Sequence, residues 1–371
     1  MKINPFRLER FFDKYEFKVK YVLCSSDCES LAVEDLLALE PDVSAQLNKL
    51  WLGYTEYAGS PALRSAISGL YERVEPDQVV VHTGAEEAIY TFMNAVLSPG
   101  DHIIVHFPGY QSLSEVAAAN GCEVTHWTTR EEEGWELDLD FLRRNIRPNT
   151  RAIVVNCPHN PTGYLMDASK QRELVEIARE HNLLLFSDEV YRELEYNRAD
   201  RLPAACDLYE NAVSLGVMSK TYGLAGLRIG WAASRNGQVL AKMVAFKDYL
   251  SMCNSAPSEF LATLALHHRE KLAARNLEII GQNLPILDRF FVRHRTIFNW
   301  QRPIAGTIAF PSLKTGQPVE EFCLELVDQT GVLLIPGTLF DFGNRHFRIG
   351  FARRNMPEAL AKLEEYLAAR T

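Results

Sequence analysis

Six short apolar runs alternate with helical patterns between residues 79 and 217, and this alternation limits the folds that the chain can adopt. Each run has the length of a strand, and amphipathic segments such as residues 171–180 separate the runs. Apolar strands joined by helices form a mostly parallel sheet that is covered by helices on both faces. We therefore predict an α/β domain whose strands include Val79–Val81, Ile103–Val105, Val124–Trp127, Ala152–Val155, Leu183–Phe186 and Ala212–Val217.

The residues that follow these runs share a position in the predicted sheet. Gly84, Tyr110, Asn160, Asp188 and Lys220 each come just after a predicted strand. Ligands of open α/β sheets bind beyond the carboxyl ends of the strands. We therefore expect these five residues to lie together at one edge of the sheet and to form a binding site.

The segment 219–231 contains one lysine among small and apolar residues, and an arginine follows eight positions later. A lysine in a dry pocket loses its proton easily and forms Schiff bases with aldehydes. Arg228 offers a fixed pair of donors for a phosphate. Lys220 and Arg228 together therefore indicate pyridoxal phosphate (PLP), which carries both an aldehyde and a phosphate. Taken alone, the segment also allows a surface lysine and an ion-paired arginine, but its glycines lack the G-x-G-x-x-G spacing of dinucleotide sites.

A PLP site needs further groups, and the other strand ends offer them. Asp188 can pair with the pyridine nitrogen, while Tyr191 and Asn160 can donate hydrogen bonds to the phenolate oxygen. Tyr110 can stack on the ring, and the helix that follows the first strand can bind the phosphate at its N-terminus. Each residue alone also has an ordinary structural role, as a cap, a turn residue or a core aromatic. The predicted phosphate contacts are Gly84, Ala85, Glu86, Ser219 and Arg228.

Three segments match the motifs of a known family. Residues 156–163, Asn-Cys-Pro-His-Asn-Pro-Thr-Gly, resemble N-x-P-x-N-P-T-G, and residues 188–191 resemble D-x-x-Y. Residues 219–228 resemble S-K-x(5)-G-x-R. From about Tyr54 to Arg348 the chain thus resembles the fold-type I PLP enzymes of the class I/II aminotransferase family. The resemblance implies a mixed seven-stranded sheet in a large PLP-binding domain, residues 49–285, and a smaller α+β domain from residues 1–48 and 286–371.

The resemblance also implies roles for residues outside these segments. Arg348 would bind the α-carboxylate of the substrate through a two-pronged hydrogen bond, with Asn160 and Ser26 also facing the substrate. Tyr54 would reach the phosphate of a neighbouring subunit. The resemblance therefore implies a homodimer whose active sites are shared.

Two departures from the family pattern concern the phosphate and the substrate. Val217 stands where many members have a second phosphate-binding serine. Residues 25–27, Ser-Ser-Asp, stand in place of the usual glycine-proline substrate loop, which leaves the substrate class open. His159 lies inside residues 156–163, which we call the asparagine loop, and there we expect a structural rather than a catalytic role.

The reaction implied by the resemblance is transamination between an amino acid and a 2-oxo acid, with Lys220, Asp188 and Tyr191 as the catalytic residues. Lys220 would move a proton between the substrate α-carbon and the cofactor. A PLP-dependent lyase, decarboxylase or cyclase of the same fold is the alternative. A non-catalytic regulator would need a DNA-binding segment, which we do not expect in this acidic chain.

Composition limits the partners and the compartment. The 371 residues carry a net charge of −9, which disfavours nucleic acid and anionic membranes as partners. No run of about 18 apolar residues indicates a membrane-spanning helix. The seven cysteines follow no metal-binding or disulfide pattern, so we expect reduced thiols, no bound metal and a cytoplasmic location.

The two ends of the chain carry weaker patterns. Phe6, Leu8, Phe11 and Phe12 fit one apolar face of a helix. Near the C-terminus we predict strands at Thr307–Phe310 and Phe347–Phe351, and a closing helix at Glu358–Ala369.

Overall fold

The computed structural model describes residues 2–370, and its elements alternate between strand and helix through the middle of the chain. Its helices are α1 Arg7–Tyr15, α2 Val33–Leu37, α3 Val43–Asn48, α4 Pro61–Ser68, α5 Gly84–Ala95, α6 Ser112–Ala119, α7 Leu139–Asn145, α8 Ala168–Glu180, α9 Ala205–Leu208, α10 Gly237–Lys247, α11 Ala256–His267, α12 Arg269–Arg293, α13 Val319–Thr330 and α14 Met356–Ala368. Its strands are β1 Tyr21–Val22, β2 Val79–His82, β3 His102–Phe107, β4 Glu123–Thr128, β5 Thr150–Asn156, β6 Leu184–Asp188, β7 Ala212–Val217, β8 Gly230–Ala233, β9 Phe298–Asn299, β10 Ile308–Ala309, β11 Ser312–Leu313, β12 Val332–Leu333, β13 Ile335–Pro336 and β14 Phe347–Gly350.

Seven of these strands form one sheet in the order β2-β8-β7-β6-β5-β3-β4. β8 pairs antiparallel with β2 and β7, whereas every neighbouring pair from β7 to β4 is parallel. The predicted mixed, mostly parallel sheet is therefore confirmed. The register places Asn156 opposite Asp188, so the last residues of β5 and β6 are neighbours at the carboxyl edge of the sheet.

Helices cover both faces of this sheet. Successive residues of a strand face opposite sides, and in β5 the residues Ala152 and Val154 pack in one apolar cluster while Ile153 and Val155 pack in another. The first cluster includes side chains of α5, α6, α10 and α12, and the second includes side chains of α7 and α8. Full burial of each such valine or isoleucine contributes about 1.5–3 kcal/mol, so both faces stabilise the sheet.

The two ends of the chain meet beside the sheet. β1 pairs in parallel with β12, and β14 pairs antiparallel with β10 and β13. The N–H of Gly350 donates to the carbonyl of Leu23 at 2.9 Å, and Nε of Arg348 donates to the carbonyl of Cys24 at 3.1 Å. These bonds hold the segment after β1 against β14. The domain boundaries at 48/49 and 285/286 stay predictions, and Pro285 lies inside α12.

Some predictions near the two ends need correction. The predicted C-terminal strands are shorter, at Ile308–Ala309 and Phe347–Gly350, because regular ladder pairing is confined to those residues. The sequence patterns did not indicate α13, β12 or β13, which fill the segment between them. The predicted N-terminal helix is present as α1, and the seven cysteines are free. Among residues 2–370, no helix is both long and apolar enough to cross a membrane.

Candidate active site

A cavity of about 540 Å³ lies at the carboxyl edge of the sheet, bordered on its other side by α1 and the loop after β1. We call it the strand-end cavity. Its sheet wall consists of Tyr110, Asn156, Asn160, Asp188, Tyr191 and Lys220. Its phosphate corner consists of Ala85, Glu86, Ser219 and Arg228. Its N-terminal wall consists of Glu9, Phe12, Glu16, Phe17, Ser26 and Asp27, and Arg348 closes one end.

Lys220 projects into this cavity from the loop that follows β7. Its Nζ donates a hydrogen bond to Oγ of Ser26 at 2.9 Å. Burial lowers the pKa of Lys220, although the negative charges of Asp27 and Asp188 act against this effect. The amine therefore loses its proton more easily than an exposed lysine does, and the neutral amine is a base and a nucleophile.

Asp188 and the asparagine loop are held together by one side chain. Nδ2 of Asn156 donates to the carbonyl of Asp188 at 3.0 Å, and its Oδ1 accepts the N–H of Asn160 at 2.7 Å. Asp188 is buried, and burial raises its pKa to about 7, although the N–H of Val190 and the charge of Lys220 favour the carboxylate. A buried carboxylate of this kind needs a cationic partner in order to stay charged.

The phosphate corner is built around the N-terminus of α5. Thr83 precedes this helix and makes no side-chain capping hydrogen bond. Gly84 has a φ of 83°, and a Cβ at this position would lie 2.6 Å from Nη2 of Arg228. Only glycine therefore allows the guanidinium to pack against the start of the helix. An uncapped helix N-terminus beside an arginine is a favourable site for a phosphate.

Glu86 adds an acid to this corner. Burial raises its pKa to about 7, and Oγ of Ser112 donates to its carboxyl group at 3.0 Å. Below that pH the carboxyl group is mostly protonated and repels an anion less.

Arg348 is buried, with 1% of its surface exposed, and two of its three nitrogens are bonded. Nε donates to the carbonyl of Cys24, and Nη1 donates to Oδ1 of Asn160 at 3.2 Å. Nη2 has no hydrogen-bond partner among the described residues. A buried charged donor without a partner costs free energy, so this nitrogen is suited to a ligand carboxylate.

Most of the predicted site residues lie together, whereas Tyr54 does not. Tyr54 is 80% exposed and lines a separate surface cavity of about 550 Å³ beside Trp51. Gly84 does not line the strand-end cavity, but it packs against the guanidinium of Arg228, which does. The predicted site residues that line the strand-end cavity are Ser26, Ala85, Glu86, Tyr110, Asn160, Asp188, Tyr191, Ser219, Lys220, Arg228 and Arg348.

Two further predictions concern residues at the margin of the site. His159 stacks on His106 with ring centroids 3.7 Å apart, and its Nδ1 is 2.7 Å from Oγ1 of Thr162. It does not line the strand-end cavity, which agrees with a structural role. Val217 lines the cavity with an apolar side chain, so it offers no hydrogen bond to a phosphate.

Comparison with known proteins identifies the family to which this chain belongs. A family model described as aminotransferase class I and II matches residues 18–363. The chain belongs to the class I and II aminotransferases. Its fold and its predicted family are thereby confirmed, and it is a PLP-dependent transaminase.

This aminotransferase is similar to two solved structures and a curated protein whose activities differ. A PLP-dependent aminotransferase structure from Streptococcus suis has 35% identity and a TM-score of 0.94, covering 100% of this chain and 99% of that chain. The structure of the PLP-dependent cyclase OrfR has 29% identity and a TM-score of 0.92, covering 100% and 99%. Capreomycidine synthase from Streptomyces vinaceus is 31% identical over 97% of this chain and 93% of its own length.

The residues of this aminotransferase fit its PLP cofactor. The uncapped start of α5 and Arg228 suit the phosphate, and the buried carboxyl group of Asp188 suits a protonated ring nitrogen. The hydroxyl of Tyr191 is buried beside Ser26 and makes no hydrogen bond of ordinary length and angle within residues 2–370, which leaves a donor for an oxygen of the ring. Burial raises the pKa of Tyr191, so this hydroxyl stays protonated.

Sequence reasoning missed several residues that line this cavity. Asn156 lies in a recognised motif but received no role, although a buried asparagine at a strand end usually hydrogen-bonds neighbouring backbone groups. Phe12 and Glu16 lie one helical turn apart, but their positions gave no sign that α1 borders the cavity. Asp27 accepts hydrogen bonds from Nη2 of Arg353 at 3.0 and 3.1 Å, a partner 326 positions away in the chain.

Proposed function

We propose that Lys220, Asp188 and Arg348 carry out the transamination of this enzyme, which moves an amino group from an amino acid to a 2-oxo acid. One observation carries the proposal. The Nζ of Lys220 and the unpartnered Nη2 of Arg348 belong to side chains that line the same cavity. A base and a carboxylate-binding donor in one enclosed space are what removal of an α-proton from an amino acid requires.

Arg348 binds and orients the substrate. Its Nε and Nη1 are fixed by the carbonyl of Cys24 and by Oδ1 of Asn160, so the direction of Nη2 is set before the substrate arrives. The α-carboxylate satisfies this last donor. Because the guanidinium does not have to reorganise, the α-carbon is held at a constant position relative to Lys220.

Lys220 transfers the proton. Burial lowers the pKa of its amine, and the hydrogen bond to Oγ of Ser26 sets the position of Nζ in the cavity. The neutral Nζ takes the proton from the α-carbon and later returns it to a neighbouring atom. Ser26 is thus a positioning residue for the base.

PLP, when bound, supplies an aldehyde that takes up the amino group and a ring that withdraws electrons from the α-carbon. Asp188 would hold a proton on the ring nitrogen, and Tyr191 and Asn160 would donate to the ring oxygen. The start of α5 and Arg228 would hold the phosphate. Tyr110 would pack on the ring of the cofactor. The ring centroid of Phe6 lies 5.1 Å from the ring centroid of Tyr110.

The protein is proposed to act as a homodimer in which Tyr54 reaches the phosphate of the partner subunit. Trp51, Leu52, Tyr54 and Tyr57 form an exposed apolar surface within seven residues, and such surfaces commonly mark interfaces. Light scattering of the purified protein should give a mass of two chains, and Tyr54→Phe should weaken PLP binding. A monomer with full PLP affinity would contradict this part of the proposal.

A PLP-dependent cyclase is the second candidate. The similarity to a cyclase structure and to capreomycidine synthase favours it, together with the Ser-Ser-Asp segment at residues 25–27. The test incubates the holoenzyme with amino donors, with and without a 2-oxo acid. Transamination predicts amino transfer to the acceptor. Ammonia, carbon dioxide or a cyclic product formed without an acceptor would instead support the alternative.

A further inference from the structure

The strand-end cavity contains more acids than the proposed reaction uses. Its cations Lys220, Arg228 and Arg348 are assigned to the base, the phosphate and the α-carboxylate. Asp188 is assigned to the ring nitrogen. The acids that remain without a role in the reaction are Glu9, Glu16, Asp27 and Glu86.

Three of these four acids have a partner or a place in the phosphate corner, or are exposed at the edge of the cavity. The carboxylate of Asp27 is paired with Arg353 at 3.0 Å, and the carboxyl group of Glu86 belongs to the phosphate corner. Glu9 is exposed at the mouth of the cavity. Glu16 is different, because it is half-buried and its carboxylate makes no ion pair or hydrogen bond with the residues that the structure describes. Burial and the charges of Asp27 and Glu9 raise its pKa despite the opposing charges of Arg353 and Lys220, so a further cation beside it would be stabilised.

A second observation shows where a ligand must bind. Nη2 of Arg348 lies in the same cavity, is buried and has no partner among residues 2–370, which fixes the site of the α-carboxylate. Phe12 connects this position to Glu16. Its ring centroid is 6.0 Å from the guanidinium carbon of Arg348, and Glu16 lies one helical turn further, with its N–H bonded to the carbonyl of Phe12 at 2.7 Å. One turn spans about 5.4 Å, so a side chain with several methylene groups can run along Phe12 from Arg348 to Glu16.

We propose that the amino donor is an α-amino acid with a long side chain that ends in an ammonium or guanidinium group, and that Glu16 binds this cation. The proposal rests on the proposed function, because it uses Arg348 as the α-carboxylate site. The methylene groups of such a side chain pack on Phe12, as the stems of lysine and arginine do on apolar surfaces. The described lining residues offer no fourth cation for an acidic side chain.

Binding of unreactive analogues to the holoenzyme tests this inference directly. The probes are 5-guanidinopentanoate and 5-ureidopentanoate, which have similar shape, differ in charge and lack the α-amino group. We expect the guanidino compound to bind at least about 10-fold more tightly, since a charged hydrogen bond contributes about 1.5–3 kcal/mol. Glu16→Gln should abolish this preference, whereas Glu34→Gln, an exposed acid on α2, should keep it. Equal affinity of the two probes for the wild type would overturn the proposal.

Donor preference gives the second measurement. We expect kcat/KM for L-arginine or L-lysine to exceed that for the neutral L-citrulline or L-norleucine by about 10-fold or more. Glu16→Gln should lower only the values for the cationic donors. If neutral donors or L-glutamate react as well as the cationic ones, the inference about the substrate fails while the transaminase assignment stands. If no donor reacts and borohydride leaves no reduced cofactor on Lys220, the proposed function fails as well.

Discussion

The two walls of the strand-end cavity differ in how firmly they are built. In the sheet wall, Asp188 and Asn156 are buried and are paired in the register of β5 and β6. In the N-terminal wall, Phe17 is 91% exposed and Glu16 carries no polar partner among the described residues. Groups that must keep one geometry for the reaction thus sit on the sheet, while groups suited to selecting a substrate sit on a short helix at the surface.

The bonds that hold α1 in place support this contrast. The N–H of Arg7 donates to Oε1 of Gln111 at 3.0 Å, and Nη2 of Arg7 is 2.6 Å from Oδ1 of Asp341. Both contacts are exposed, and exposed ion pairs contribute about 0–1 kcal/mol. We therefore expect the N-terminal wall to open at a lower free-energy cost than any part of the sheet wall.

The largest effect should follow from Lys220→Ala in the sheet wall. Loss of the base should lower kcat by about 10⁴-fold or more, to the same extent for every amino donor. Initial rates measure the loss, and borohydride reduction followed by peptide mapping should find the reduced cofactor on Lys220 of the wild type. Lys242→Ala, at an exposed lysine of α10, is the control. Turnover of the Lys220 variant within 10-fold of the wild type would contradict the proposal that the sheet wall supplies the catalytic base.

Arg348→Lys should have the next largest effect, and it should appear in KM. The ammonium keeps the charge but cannot hold the carbonyl of Cys24, Oδ1 of Asn160 and a carboxylate in one plane. We expect KM for every donor to rise by about 10²-fold, with a smaller change in kcat. Arg289→Lys, at an exposed position of α12, controls for the substitution itself. A large fall in kcat with an unchanged KM would mean that Arg348 does not hold the substrate.

Glu86→Gln should alter stability rather than turnover, and the effect should depend on pH. Burial raises the pKa of Glu86 from 4.5 to about 7, so the folded state holds this proton more tightly than the unfolded state. That contribution is complete below about pH 4.5 and is lost as the pH rises through 7. The apoenzyme of the variant should therefore be more stable than the wild type at pH 8, by roughly 3 kcal/mol, and nearly equal to it at pH 4.5.

Urea unfolding of both apoenzymes at the two pH values measures this difference. Asp188, whose pKa is also raised to about 7, remains in the variant, so part of the pH dependence should persist. Glu34→Gln should unfold like the wild type at both values. Equal stabilities of wild type and Glu86→Gln at pH 8 would contradict the raised pKa of Glu86.

The sheet and most of its edge residues could be predicted because their signals are local. Apolar runs such as Ala212–Val217 mark the strands, and the chain direction then brings the residues after them to one edge. A proline at the first helical position is a further local signal, and Pro61 is the first residue of α4. The site of Tyr54 could not be tested in one chain, because its predicted contact lies in another subunit.

The N-terminal wall could not be predicted, because its contacts join distant parts of the chain. Periodicity indicated a helix with Phe12 on its apolar face, but not the surface on which that face packs. β1 and β12 pair over only two residues each, which is too short to give a pattern. The sequence therefore gives no pattern that separates Glu16 from a surface acid, and only the cavity shows that its carboxylate lacks a polar partner among the described residues.

The hydrogen bond from Gly350 to Leu23 has a consequence for how the enzyme is made. On the ribosome, Leu23 and Cys24 emerge early, yet their hydrogen-bond partners in β14, Gly350 and Arg348, are synthesised more than 300 residues later. The nascent chain can form the sheet, and with it Lys220 and the phosphate corner, well before Arg348 exists. A cofactor-binding intermediate that cannot yet recognise any amino acid should thus precede the finished enzyme during translation.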